Sequence, residues 1–151
     1  MKNHTQFFPQ LFTRIATIST FALMLALTGC GMAQRAGEDT TAAVQAPLPQ
    51  IVVDYFAGWN ASDSARVLAT FTSDGVYIDP QVPNGLRGTE MMVYIDQFKG
   101  FKVKTPSYRF LADGSPEVLW ELFDPSGKLI AKGKDVMAIS NGKLARVVGS
   151  W

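Results

Sequence analysis

The 151-residue chain carries 14 Lys and Arg against 13 Asp and Glu, a balance that leaves no electrostatic footprint for nucleic acid. Its only histidine is His4 and its only cysteine is Cys30. Beyond residue 30, therefore, Ser-His-Asp and Cys-His triads are excluded, as are zinc or copper sites built on His or Cys. Acid–base chemistry falls to Asp, Glu, Tyr or Lys.

Lys2 and Arg14 give a positive start, followed by an apolar stretch from Ile15 to Leu27 that is too short to span a bilayer, which needs about 20 residues. It fits the apolar region of a signal peptide. Leu27-Thr28-Gly29-Cys30 matches a lipobox, so residues 1–29 are expected to be removed and Cys30 to be lipidated. Lipidation would also account for a lone thiol in an oxidising compartment. Several acyl chains on one cysteine anchor stably, at roughly 0.8 kcal/mol per buried CH₂. Gly31 stands where an aspartate would signal inner-membrane retention, so the expected location is the outer membrane, facing the periplasm. Removing Lys2 and Arg14 leaves 12 basic against 13 acidic residues. Small, polar residues and a proline from Gly31 to Leu48 read as a flexible tether, reaching roughly 23 Å. Residues 49–151 are enough for one domain with one core.

Pro49 opens a predicted helix in which Val52, Tyr55, Phe56 and Trp59 share one apolar face. Ser62 or Asp63 can cap a second short helix through Val67, Leu68 and Phe71. After the Asp74-Gly75 turn, Val76–Asp79 reads as a short strand stopped by Pro80, and residues 80–88 read as a loop. Thr89 is the predicted cap of a third helix burying Met91, Tyr94, Ile95 and Phe98. Strands follow at Lys102–Leu111, Glu117–Phe123, Leu129–Ser140 and Lys143–Trp151, separated by Gly-containing turns. The fold class is α+β, with three N-terminal helices packed on one face of a curved, mostly antiparallel sheet.

The last hairpin allows two registers. A two-residue loop at Asn141-Gly142 would put Arg146 on the face of Asp135. A three-residue loop, Ser140 to Gly142, places Asp135 with Gly133, Met137, Ile139 and Val147 instead, and sends Lys132, Lys134 and Arg146 to the other face. The second register sorts polar from apolar better and is preferred. It isolates Asp135 on an apolar inner face, where burial raises a carboxyl pKa and makes a neutral hydrogen-bond donor available. Asp79 closes a strand just before a loop, and Tyr55 carries a hydroxyl into a buried face that must partner it.

Residues 55–63 (YFAGWNASD), 71–80 (FTSDGVYIDP), 86–88 (LRG) and 133–144 (GKDVMAISNGKL) resemble SnoaL-like and ketosteroid-isomerase-like sequences of the nuclear transport factor 2-like superfamily, in order and spacing over residues 49–151. The resemblance implies a cone-shaped fold. It also implies that Tyr55 and a neutral Asp135 form an oxyanion hole while Asp79, before its proline, moves the proton. A ketosteroid isomerase is the standard example of a carboxylic acid kept neutral for this purpose. Trp59, Phe98, Trp120, Met137 and Val147 are expected to wall the pocket. The reaction implied is proton transfer beside a carbonyl of an apolar small molecule, isomerase- or cyclase-like, needing no metal or organic cofactor.

Because one fold hosts many functions, two alternatives stand beside it. The pocket could hold a ligand without catalysis. Alternatively, the outer sheet face, with Val136, Ala138, Leu144 and Val148, could pair with a partner or a second copy as a homodimer. Arg87 is expected to close a loop rather than neutralise a ligand.

Overall fold

The computed structural model describes residues 45–151; Cys30, the expected signal segment and the tether up to residue 44 lie outside the described residues. The last stretch of that tether is laid against the domain. Gln45 Nε2 donates to the Tyr108 carbonyl at 2.6 Å, the Tyr108 hydroxyl donates to the Ala46 carbonyl at 3.1 Å, and Leu48 packs on the core.

Helix α1 (Gln50–Ala61) buries Val52, Tyr55, Phe56 and Gly58. Gly58 is where the second helix approaches: a Cβ there would lie 2.7 Å from Val67 Cγ2. Helix α2 (Ser64–Ala69) is capped by Asp63, whose side chain accepts from the Arg66 N–H at 2.9 Å. The other cap candidate, Ser62, takes the left-handed conformation that ends α1, and its hydroxyl accepts from the Gly100 N–H. Phe71 opens a strand rather than closing α2. Strand β1 (Phe71–Asp79) is more than twice the expected length, and β2 (Val82–Leu86) lies inside the expected loop. The third helix, α3 (Gly88–Asp96), starts after Arg87 with no side-chain cap, so Thr89 does not cap it. It buries Met91, Tyr94 and Ile95, with Phe98 just past its end.

Strands β3 (Lys102–Phe110), β4 (Pro116–Phe123), β5 (Leu129–Ser140) and β6 (Lys143–Ser150) form the expected antiparallel meander. The six-stranded order is β2-β1-β6-β5-β4-β3, with β1 parallel to β6 and every other pair antiparallel. The helices and the inner sheet face enclose a core whose most buried members include Val52, Tyr55, Met91, Val118, Met137, Leu144 and Val147.

The final turn differs from the preferred three-residue loop. Ser140 pairs with Lys143, so the loop is Asn141-Gly142, both left-handed at φ 51° and 73°. A bulge then shifts the register between Ala138 and Ile139, after which Met137 faces Val147 and Asp135 faces Gly149. Turn plus bulge restores the parity of the three-residue loop, so Asp135 and Met137 still point inward. The bulge also turns Leu144 inward to zero exposure, which removes it from the outer face where it was expected. On that outer face Lys132 pairs with Glu121 at 2.6 Å, and Lys134 and Arg109 pair with Glu117 at 2.8 and 2.7 Å. The Arg87 guanidinium donates to the Asp74 carbonyl and closes the loop before α3.

Candidate functional site

Strand pairing sets the centre of the site. Ile78 pairs with Val148 and Asp135 with Gly149, so Asp79 and Asp135 come to neighbouring positions on either side of β6. Both are buried, at 2% and 4% exposure. Gly149 lies between them. A Cβ at that residue would sit 3.1 Å from Asp135 Oδ1 and 3.4 Å from Asp79 Cβ, so a side chain there would press on Asp135 and touch Asp79.

Asp135 receives two donors from different elements. Trp120, on β4, donates from Nε1 to Oδ1 at 2.8 Å. Tyr55, on α1, donates to Oδ2 at 3.5 Å, the long limit of a hydrogen bond. Burial is the largest influence on Asp135 and pushes its pKa from 3.8 up to about 7; the Trp120 and Tyr55 donors oppose the rise, and the nearby Asp79 charge adds to it. A carboxyl poised near neutrality can be a donor in one state and an acceptor in the other.

Asp79 is held differently. Its Oδ1 accepts from the backbone N–H groups of Gln81 and Val82 at 2.7 and 3.1 Å, a turn that carries the chain from β1 into β2. Its Oδ2 accepts from the Tyr94 hydroxyl at 2.7 Å, from α3. Among the described residues, three donors and no cation serve this carboxylate.

Around the pair runs a chain of aromatic rings. Trp59 lies 6.3 Å from Tyr55, 6.4 Å from Tyr77 and 5.8 Å from Phe98, centroid to centroid, and Tyr94 lies 5.8 Å from Tyr77 and 5.4 Å from Phe98. Burial pushes the hydroxyl pKa values of Tyr55, Tyr77 and Tyr94 upward; negative charge on Asp135 adds to the rise at Tyr55, and the hydrogen bond to Asp79 adds to it at Tyr94. These phenols stay protonated as donors. The Trp59 indole N–H lies near enough to the Tyr55 hydroxyl to oppose that rise, yet it makes no well-formed hydrogen bond.

Tyr55, Asp79 and Asp135 are thus brought together. Trp59 and Phe98 stand on the aromatic wall and Trp120 against Asp135, while Met137 and Val147, at zero exposure, are packed into the core beneath. In the sequence Tyr94 shows only as a buried helix residue. Helical periodicity reports that a side chain points inward, and nothing in the spacing of 79 and 94 joins the two. An open groove lies elsewhere, between Leu119, Lys132, Lys134 and Trp151. Both of its lysines are ion-paired, so the site is placed at the carboxylates instead.

No family model matches the sequence, and none of the curated proteins does. Solved structures do resemble the domain. A SnoaL-like family protein from Agrobacterium tumefaciens, described as an isomerase, is 23% identical over 67% of this chain and 93% of its own, with a TM-score of 0.56. A Sinorhizobium meliloti protein described as a polyketide cyclase is 20% identical over 68% of this chain and 94% of its own, with a TM-score of 0.56. A Catenulispora acidiphila protein of ketosteroid-isomerase-like fold, solved with trimethylamine, is 12% identical over 70% and 87%, with a TM-score of 0.58. The fold of this chain is therefore the SnoaL-like, nuclear transport factor 2-like one, with helices on an open six-stranded sheet.

Proposed function

We propose that this chain is a lipid-anchored envelope protein whose SnoaL-like domain binds an apolar carbonyl compound and moves a proton beside the carbonyl. The observation that carries the reading is the unlike pair at Gly149. Asp135 is poised near neutrality beside Tyr55, and Asp79 is served by three hydrogen-bond donors.

In the proposed step an Asp79 oxygen takes a proton from the carbon next to the carbonyl. The C–H electron pair moves into the new C=C bond, and charge builds on the carbonyl oxygen. Tyr55 and neutral Asp135 donate to that oxygen. Return of the proton from Asp79 to another carbon completes an isomerisation and leaves the enzyme unchanged.

The non-catalytic alternative also has an observation in its favour. The donors on Asp79 tie the β1–β2 turn together and could be purely structural. Deuterium uptake by 2-tetralone in D₂O, at the carbons flanking its carbonyl, separates the two readings. Uptake above the buffer rate, lost in Asp79→Asn, is expected; uptake at the buffer rate would leave only binding. Anchoring is tested apart from the chemistry, by fatty-acid labelling of the full chain, which Cys30→Ser should abolish.

A further inference from the structure

The two sides of the domain differ in charge. Pairing and strand alternation put Lys102, Lys104 and Arg109 of β3, Lys132 and Lys134 of β5, and Arg146 of β6 on the outer sheet face, all six exposed. Across these strands and β4 only two carboxylates, Glu117 and Glu121, share that face. Arg109, Lys132 and Lys134 take up both of them, which leaves Lys102, Lys104 and Arg146 without a carboxylate partner among the described residues. Lys102 donates to the Asn60 carbonyl and the Lys104 ammonium lies 4.7 Å over the Phe123 ring, contacts that cancel no charge. The helical layer has the opposite balance, with Asp54, Asp63, Glu90 and Asp96 against Arg66 and Arg87. Such an asymmetry orients a domain in the field of a charged surface.

The chain enters the domain at the same place. Gln45 and Ala46 are bonded to Tyr108 of β3, the last strand of the sheet. Only 15 residues, Gly31 to Gln45, separate Cys30 from that edge, a span of about 50 Å at full extension. We propose that the outer sheet face docks on the anionic phospholipid headgroups of the bilayer that holds the anchor, with the helical layer turned away. The inference rests on the anchoring reading, because without a lipid on Cys30 nothing keeps the domain beside a bilayer. Each cation brought to an anionic surface strengthens the contact roughly fivefold. That is weak for a free protein, but a tether holds the face at high local concentration over the headgroups.

The test places the full lipidated chain on vesicles of phosphatidylcholine alone and of an equal mixture with phosphatidylglycerol. Acetic anhydride then acetylates the lysines, and peptide mass spectrometry reads the rate at each site. Lys143, whose ammonium is turned to the Ala69 carbonyl at the end of α2, serves as the reference on the helical side. Relative to Lys143, Lys102 and Lys104 should react at least about fivefold more slowly on the mixed vesicles than on phosphatidylcholine, and high salt should remove the difference. Rates that do not distinguish the two vesicles would overturn the docking face, as would slowing shared equally by Lys143. Equally slow reaction of Lys102 and Lys104 on both vesicles would assign the face to a second copy of the chain and overturn it too. A chain that fails to float with phosphatidylcholine vesicles would overturn the anchoring reading and this inference with it.

Discussion

Asp79 and Asp135 flank Gly149 across β6, each buried and each held by a different set of donors. One is tied by Gln81, Val82 and Tyr94, the other by Trp120 and, more loosely, Tyr55. Both are buried; they differ in their donors, a backbone turn and Tyr94 at Asp79, two side chains at Asp135.

The raised Asp135 carboxyl sets a dependence of stability on pH. Its folded pKa of about 7 lies above the 3.8 of an ordinary aspartate, so the native state binds this proton more tightly than the unfolded chain does. The resulting stabilisation is fully present below about pH 4 and is lost as pH rises through about 7. Asp135→Asn keeps the shape and the Trp120 acceptor but cannot ionise. Urea unfolding at pH 4 and pH 8 should show the wild type losing stability relative to the variant, by on the order of 4 kcal/mol at most. Parallel curves for the two proteins would mean that Asp135 is not buried as described.

A methyl group at Gly149 should disturb Asp135. Gly149→Ala places a carbon 3.1 Å from Asp135 Oδ1, an oxygen held by the Trp120 indole, and in contact with Asp79 Cβ at 3.4 Å, so Asp135 must shift by a few tenths of an ångström. A cost of roughly 1–3 kcal/mol is expected in denaturant unfolding, together with weaker 2-tetralone binding as Asp135 is displaced. A variant with wild-type stability and binding would show that the two side chains are not packed around this position.

Tyr94→Phe removes a side-chain donor to Asp79, a 2.7 Å bond to a buried carboxylate. The expected loss is about 1.5–3 kcal/mol in urea unfolding, the range for hydrogen bonds to charged groups. A slower proton transfer should accompany it, since one oxygen of Asp79 loses its anchor. Unchanged stability would place the Tyr94 hydroxyl elsewhere.

Much of the frame could be read from residue pattern. Strand β5 falls at Leu129–Ser140 as the alternation and flanking turns suggest, and Asp135 points inward for the reason that its neighbours are Gly133 and Met137. The inward face survived a wrong turn assignment because a two-residue loop plus one bulge has the parity of a three-residue loop. Leu144 shows the cost of missing the bulge: it moves from the outer face into the core. Strand β2, with Pro83 and Gly85, reads locally as a loop; it forms because it is an edge strand, where a missing donor and a left-handed glycine at φ 79° are tolerated. The partners Tyr94–Asp79 and Trp120–Asp135 depend on how α3 and β4 come to rest, which no local spacing encodes.

The most direct test of the proposed chemistry is the conversion of cyclohex-3-enone to its conjugated isomer, followed by ultraviolet absorbance with wild type and Asp79→Asn. The asparagine oxygen can still accept from Gln81 and Val82 while its amide donates to the Tyr94 oxygen, so the variant should fold, as circular dichroism would check. Acceleration by the wild type that falls at least about 100-fold in a folded Asp79→Asn variant is the expected result. Equal rates in the two proteins, whether fast or at the buffer level, would contradict proton transfer through Asp79.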